Sequence, residues 1–218
     1  MLCSNCSNTI KPVVIVDIDG TLGDYHGHFI KFAMAYLGLR EFKYNQYTGT
    51  GSFREWFKTW AQIDDHIWYD IKLAYRQGAQ KRSMPVFPGA SDLTKDIRMS
   101  DAELWLCTTR PFMRLDNVDP DTRFWLLNNT IGYDGLVYSE SKYARMADRI
   151  DKERVIAILE DEGEQLIDAE AAFGSVVILR RNNYNTGVEH SVETSDLSDA
   201  AELILGRIWD WREAYNAA

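Results

Sequence analysis

Five short apolar runs rich in β-branched or aliphatic residues recur along the chain, at Val13–Val16, Ala102–Cys107, Leu136–Tyr138, Val155–Leu159 and Val176–Leu179. Runs of this length bounded by polar turns predict buried strands rather than helices. After the second, the apolar spacing turns helical: Thr122–Ile131 carries Phe124, Trp125, Leu126 and Leu127 behind an Asp119-Pro120 start. Pro88-Gly89-Ala90 opens a further helix through Arg98, Gln165–Phe173 predicts another, and Thr194–Tyr215 has an expected buried face of Leu197, Ala201, Ile204, Leu205, Ile208 and Trp209. Strands separated by helices predict an α/β fold, a doubly wound parallel sheet.

The alternation is interrupted once. Between the first and second runs lies a long insertion whose periodicity is helical throughout. Phe29, Phe32, Ala33, Tyr36 and Leu37 define a helix over His28–Leu39 with Gly38 near its end, and a polar, glycine-rich loop follows from Tyr44 to Ser52. Phe53–Gln77 then predicts one or two helices, broken near Asp64, whose side chain can cap the second. The predicted organisation is therefore a core of residues 11–24 and 85–218 with a small helical unit, residues 25–84, inserted after the first strand.

Composition narrows the function classes. With 45% hydrophobic and 26% charged residues over 218 positions, the chain can bury one α/β core plus a small insertion. The formal net charge of -9 argues against a surface built for polynucleotide. No apolar run reaches membrane-spanning length and no signal-peptide pattern stands at the start, so the expected location is cytoplasmic, with no membrane partner. Three cysteines make no disulfide framework, and Cys3 and Cys6 form a lone C-x-x-C without two further zinc ligands nearby.

The chemistry concentrates where the first strand ends, in Asp17-Ile18-Asp19-Gly20-Thr21-Leu22. Residues two apart leave a strand on the same side, so both aspartates can face one pocket at its carboxyl end, where open α/β sheets bind ligands. Gly20 lets the chain turn sharply. Two close carboxylates repel unless a cation joins them, and magnesium, a hard oxygen-seeking ion, is the natural partner.

This D-x-D-G-T-L string resembles the first motif of the haloacid dehalogenase-like superfamily of aspartyl-phosphate hydrolases and phosphotransferases. The resemblance implies that Asp17 is the nucleophile and Asp19 the general acid and base, in a phosphatase. Three further motifs follow in the family's order. Thr108, with Thr109 beside it, matches the strand-end hydroxyl that binds the phosphoryl group, and Gly20 and Arg110 are further phosphate contacts. Lys142, just past the third strand, matches the cation that neutralises phosphoryl oxygens, with Lys152 as runner-up. Glu160-Asp161 stands where the family usually has Asp-Asp. Asp161 therefore completes a Mg2+ site with Asp17 and Asp19, while Glu160 departs from the pattern.

The insertion's position implies a helical cap closing over a small substrate. The layout looks most like 5'(3')-deoxyribonucleotidases acting on nucleoside monophosphates, with Phe53, Trp56 and Phe57 as candidates for stacking on the base. Two alternatives remain: a 3'-phosphatase for polynucleotide ends, resembling the phosphatase domain of bacteriophage polynucleotide kinase through Thr108-Thr109-Arg110 and Asp121–Leu126, and a phosphatase of a non-nucleotide metabolite.

Overall fold

The computed structural model describes residues 10–40, 52–109, 112–174 and 176–217. Its sheet has six parallel strands: β1 (Val13–Asp17), β2 (Glu103–Thr108), β3 (Gly135–Tyr138), β4 (Val155–Glu160), β5 (Val177–Arg180) and β6 (Glu193–Thr194). Their order is β3-β2-β1-β4-β5-β6, so β1 lies inside the sheet between β2 and β4. Every β1 side chain is buried, as a strand covered on both faces requires. Val14 and Val16 enter one hydrophobic cluster and Val13 and Ile15 the other, so the period-two alternation of β1 ties together two cores.

Helices α4 (Ala90–Met99) and α8 (Leu197–Ala217) pack together on one face, against β2 and β4 respectively. Trp209, expected on the buried face of α8, is instead exposed, one residue past the buried Ile208 and so turned away from the sheet. On the other face α6 (Lys142–Ala147) packs on β2 and β3, and α7 (Gly163–Phe173) on β4 and β5. Helix α5 (Val118–Asn128) completes the set and buries Trp125 and Leu126. Register places Asp17 opposite Cys107, with Thr108 one residue beyond, so the ends of β1 and β2 open on the same place.

The described part of the insertion forms the expected helices with shifted boundaries, while the predicted loop from Tyr44 lies, up to residue 51, outside the described residues. Helix α1 (Tyr25–Leu37) begins three residues before the expected start, because the Asp24 carboxylate accepts from Gly27 N at 2.8 Å. It ends at Gly38 in the left-handed conformation. Helices α2 (Phe53–Ala61) and α3 (Asp65–Gln77) are separate, and Asp64 caps α3 by accepting from Ile67 N at 2.9 Å. Phe29, Phe57, Trp68 and Tyr75 bind the three helices into a buried aromatic cluster. The entry and exit of the insertion lie side by side: Asp24 N donates to Pro85 O at 2.8 Å and Phe87 N to Leu22 O at 2.9 Å.

Three elements depart from expectation. The two-residue β6 is too short for an apolar run to announce it, and the six-residue α6 is too short to show a period. Helix α5 starts from Asn117 rather than Asp119, leaving Pro120 within the first turn, where its missing N–H has no intrahelical acceptor to satisfy.

Candidate active site

The carboxyl ends of β1, β2 and β4 meet beneath the insertion around a cavity of about 300 Å³. Its floor is acidic and carries Asp17, Asp19, Glu160 and Lys142, with Thr108 and Thr109 at the end of β2. Asp17 is 3% exposed. One of its oxygens, Oδ1, accepts from Lys142 Nζ at 2.5 Å, while Oδ2 is buried with no hydrogen-bond partner. Lys142, the first residue of α6, is itself buried and reaches Glu160 Oε2 at 2.6 Å. Burial works against its ammonium, yet the Asp17 and Glu160 carboxylates outweigh that cost and raise its pKa well above the ordinary lysine value. Lys142 is a permanent cation here.

Glu160, whose role the sequence leaves open, is fully engaged. Its Oε1 accepts from the backbone N–H groups of Asp161 and Glu162, both at 3.0 Å, and its Oε2 accepts from the Tyr143 hydroxyl as well as from Lys142. A glutamate reaches one methylene further than an aspartate. Here that length sets Lys142 against Asp17 and fixes the turn that presents Asp161.

Asp161 is buried and held on both sides, with Oδ1 accepting from Thr21 Oγ at 2.8 Å and Oδ2 from the Tyr184 hydroxyl at 2.6 Å. Asn185 Nδ2 donates to its backbone carbonyl at 2.8 Å. Asp17, Glu160 and Asp161 each bring an oxygen within 4.8 Å of the others. Burial beside like charges raises the pKa values of Asp17 and Asp161. Burial is the largest effect on Asp17, opposed by Lys142 and reinforced by Glu160 and Asp19, which together bring it from 3.8 to about 7. Burial followed by Glu160 and Asp17 raises Asp161 well above its ordinary value. One lysine does not balance these acids, and Asp17 Oδ2 is left over. The donor set, all hard oxygens, fits a divalent cation such as Mg2+ held by Asp17 and Asp161.

Asp19 sits apart from that cluster. Its carboxylate lines the cavity but is paired with Lys81, buried in the 3-10 turn Gln80–Ser83, and lies 4.0 Å from Arg76 Nη2 at the end of α3. The Lys81 ammonium stands 4.5 Å from the Trp125 ring centre and 3.2 Å from Met84 Sδ, which fixes it against the core. Both cations come from the insertion and its return. Nothing in their local sequence marks them, because the contact spans 62 positions for Lys81.

Gly20 contributes space rather than a phosphate contact. Its N–H donates to Gly23 O at 2.8 Å, and its φ of 98° is one that L side chains rarely adopt. A Cβ there would overlap Asp161 Oδ2 and the Tyr184 hydroxyl. Thr108 is fully buried and Thr109 partly so. Arg110 lies outside the described residues, as do Cys3 and Cys6. Lys152, the runner-up, is exposed in a 3-10 turn before β4 and does not line the cavity.

The roof of the cavity comes from the insertion. Tyr25, His26, Phe53, Trp68, Lys72 and Arg76 face the carboxylates. Among the three aromatic candidates from the sequence, only Phe53 borders the cavity. Phe57 is fully buried against Phe29, Phe53, Trp60 and Trp68, and Trp56 is partly buried against the same cluster, stacked on Trp60. His26 was missed by sequence reasoning. Its ring lies 4.2 Å from Tyr184 and 4.8 Å from Phe53, its Nδ1 has no partner, and burial lowers its pKa to about 3, so it is neutral.

Solved structures share this architecture across almost their whole length. A haloacid dehalogenase-like hydrolase from Burkholderia xenovorans LB400 superposes with a TM-score of 0.58 at 15% identity, over 92% of this chain and 99% of its own. A predicted phosphatase from Clostridium acetobutylicum gives 0.62 at 15% identity, over 91% and 100%. This is the haloacid dehalogenase-like fold. D,D-heptose 1,7-bisphosphate phosphatase from Burkholderia thailandensis has it too, with a TM-score of 0.53 at 12% identity over 89% and 99%. No protein-family model and no curated protein matches the sequence. At these identities the likeness establishes the haloacid dehalogenase-like fold. No helix among the described residues is long and apolar enough to cross a membrane.

Proposed function

We propose that the protein is a Mg2+-dependent phosphomonoesterase working through an aspartyl-phosphate on Asp17. The observation that carries this reading is Asp17 itself: a buried strand-end carboxylate, oriented through one oxygen by Lys142 and free of hydrogen bonds at the other. In the first step one oxygen of the Asp17 carboxylate bonds to phosphorus as the bond to the leaving oxygen breaks, and Asp19 gives the leaving oxygen a proton. In the second, Asp19 takes a proton from water whose oxygen attacks the same phosphorus, releasing inorganic phosphate and restoring Asp17. Lys142 and the Thr108 hydroxyl stabilise charge on the phosphoryl oxygens through both steps. Asp17 and Asp161 would hold a Mg2+ ion, which would neutralise negative charge on the phosphoryl group. Lys81 and Arg76 hold Asp19 at the cavity wall.

The substrate we propose is a nucleoside monophosphate. Tyr25, Phe53 and Trp68 give the roof aromatic surface close to the carboxylates, and stacking on a base is worth about 1–3 kcal/mol. The test is phosphate release from nucleoside monophosphates, sugar phosphates and a 3'-phosphorylated oligonucleotide, with Mg2+ or excess chelator, at two salt concentrations. We expect Mg2+-dependent turnover, fastest on the mononucleotides and only modestly salt-sensitive, and abolished in Asp17→Asn. Faster, steeply salt-sensitive turnover of the oligonucleotide would move the protein to nucleic-acid end repair. Full activity of Asp17→Asn would end the aspartyl-phosphate reading.

A further inference from the structure

Helix α3 turns one face toward the cavity, and the residues on that face are spaced by four: Trp68, Lys72 and Arg76. Each step of four residues advances about 6 Å along the helix. Arg76 is the innermost, beside Asp19. Trp68 and Lys72 also border a second cavity, of about 670 Å³, which shares Arg54 and Glu140 with the first and continues outward past Tyr69, Phe112 and Met113. The two cavities form one groove running away from Asp17.

Lys72 is the unusual member of this stripe. Its ammonium lies 4.4 Å from the Phe29 ring centre, 4.9 Å from Tyr25 and 5.0 Å from Trp68, an aromatic seat that holds a cation partly out of water. Among the described residues its one hydrogen bond is to the Tyr25 hydroxyl, at 2.5 Å. Other cations around the groove have acids: Arg54 pairs with Asp65 at 2.5 Å, Lys142 with Asp17 and Glu160, and Lys81 with Asp19. Among the described residues no carboxylate lies within 4.0 Å of Lys72, although Glu140 and Glu162 line the same cavity. An ammonium facing a substrate groove with no direct ion pair, and with Glu162 acting on it only at longer range, matches a ligand that brings its own anion.

We propose that Lys72 is a second-anion site, and that the preferred substrates carry a further phosphate or carboxylate on the leaving group, about one helical turn from the phosphoryl group that is transferred. This rests on the phosphomonoesterase reading and, among nucleotides, favours one with a second anionic group over a simple nucleoside monophosphate. The aromatic surface of Trp68, Tyr69 and Phe112 lies further out, where the rest of the leaving group would lie.

Binding tests this apart from turnover. Asp17→Asn protein with Mg2+ is titrated calorimetrically with two matched pairs: adenosine 3',5'-bisphosphate against adenosine 5'-monophosphate, and 3-phosphoglycerate against glycerol 3-phosphate. The second anion should tighten binding tenfold or more in at least one pair, and which pair responds identifies the carrier as nucleoside or small acid. Adding Lys72→Met, which keeps the stem, should remove that advantage, and Lys72→Arg should restore most of it. Equal affinity within both pairs, or an equal loss for both members of each pair in Lys72→Met, would overturn the assignment. Absence of turnover in the unmutated protein would count against the phosphatase reading alone, because the titration does not depend on catalysis.

Discussion

Replacing the proposed nucleophile should stabilise the metal-free protein. Asp17 is 3% exposed, in the company of Glu160, Asp161 and Asp19, and its pKa stands at about 7 against 3.8 for an ordinary aspartate. The folded state therefore holds a proton that the unfolded chain releases between those two values. The unfolded state binds fewer protons in that window, so stability falls as pH rises from about 4 to about 7 and then levels off. At 1.36 kcal/mol per pH unit, the full loss is about 4 kcal/mol. The amide introduced by Asp17→Asn cannot ionise, keeps a carbonyl oxygen for Lys142, and escapes the whole penalty. For a chain of this size that corresponds to roughly 10 °C in melting temperature.

The assay is calorimetric melting of both proteins in excess chelator from pH 5 to pH 8.5, with and without Mg2+. Asp17→Asn should melt higher at pH 8, and the gap should close toward pH 5. Mg2+ should stabilise the unmutated protein far more than the variant, by about 2.7 kcal/mol when the ion is at a hundred times its dissociation constant. The sign is the informative part, since most substitutions at buried positions destabilise. An unmutated protein as stable as Asp17→Asn at pH 8 in chelator would refute the view that the cluster is a strained receptor for a cation. A gap that did not change with pH would refute it equally.

Two further outcomes follow from the same contacts. Lys142→Met leaves Asp17 and Glu160 buried without their cation, so metal-free stability at pH 8 should drop by about 3–5 kcal/mol and recover partly toward pH 5, read by denaturant melts, while turnover falls at least a hundredfold. Gly20→Ala should push Asp161 and Tyr184 apart, and a weakened Mg2+ affinity measured by titration, with near-normal helix content by circular dichroism, is the expected signature; unchanged affinity would show that Asp161 is not held through Gly20.

The reacting side of the site was legible because it is local. Asp17, Thr108 and Asp161 each close or directly follow an apolar run, and strand order alone brings those ends together. Lys142 follows its strand at the distance the family pattern implies, even though the helix it starts was too short to predict. Residues that orient these groups were harder to see. Thr21 and Tyr184 are 140 and 23 positions from Asp161, and Tyr143 is 17 from Glu160. Their hydroxyls look like ordinary surface or core groups until the sheet closes. Phe57 shows the opposite error, an aromatic residue assigned to substrate from composition when the three insertion helices need it as their own core.

That difference has a physical origin which bears on Asp19. A strand end is fixed by backbone hydrogen bonds on both sides, so its chemistry is written into a few adjacent residues. The roof depends on how three short helices pack, and their contacts with the floor run through polar side chains such as Lys81 and Arg76. Those two cations join the insertion to the proposed general acid directly, while Asp24, Pro85, Leu22 and Phe87 tie its two connecting segments together. Any movement of α3 against the sheet must therefore change the charge around Asp19. On the proposed reading, seating a substrate under α3 and setting the proton donor are coupled through Arg76, which lies on the same helical face as Trp68 and Lys72. An Arg76→Met protein should accordingly lose turnover through kcat as well as KM, whereas loss of Lys72 should act mainly through binding; identical kinetic effects of the two substitutions would show that α3 acts only as a lid.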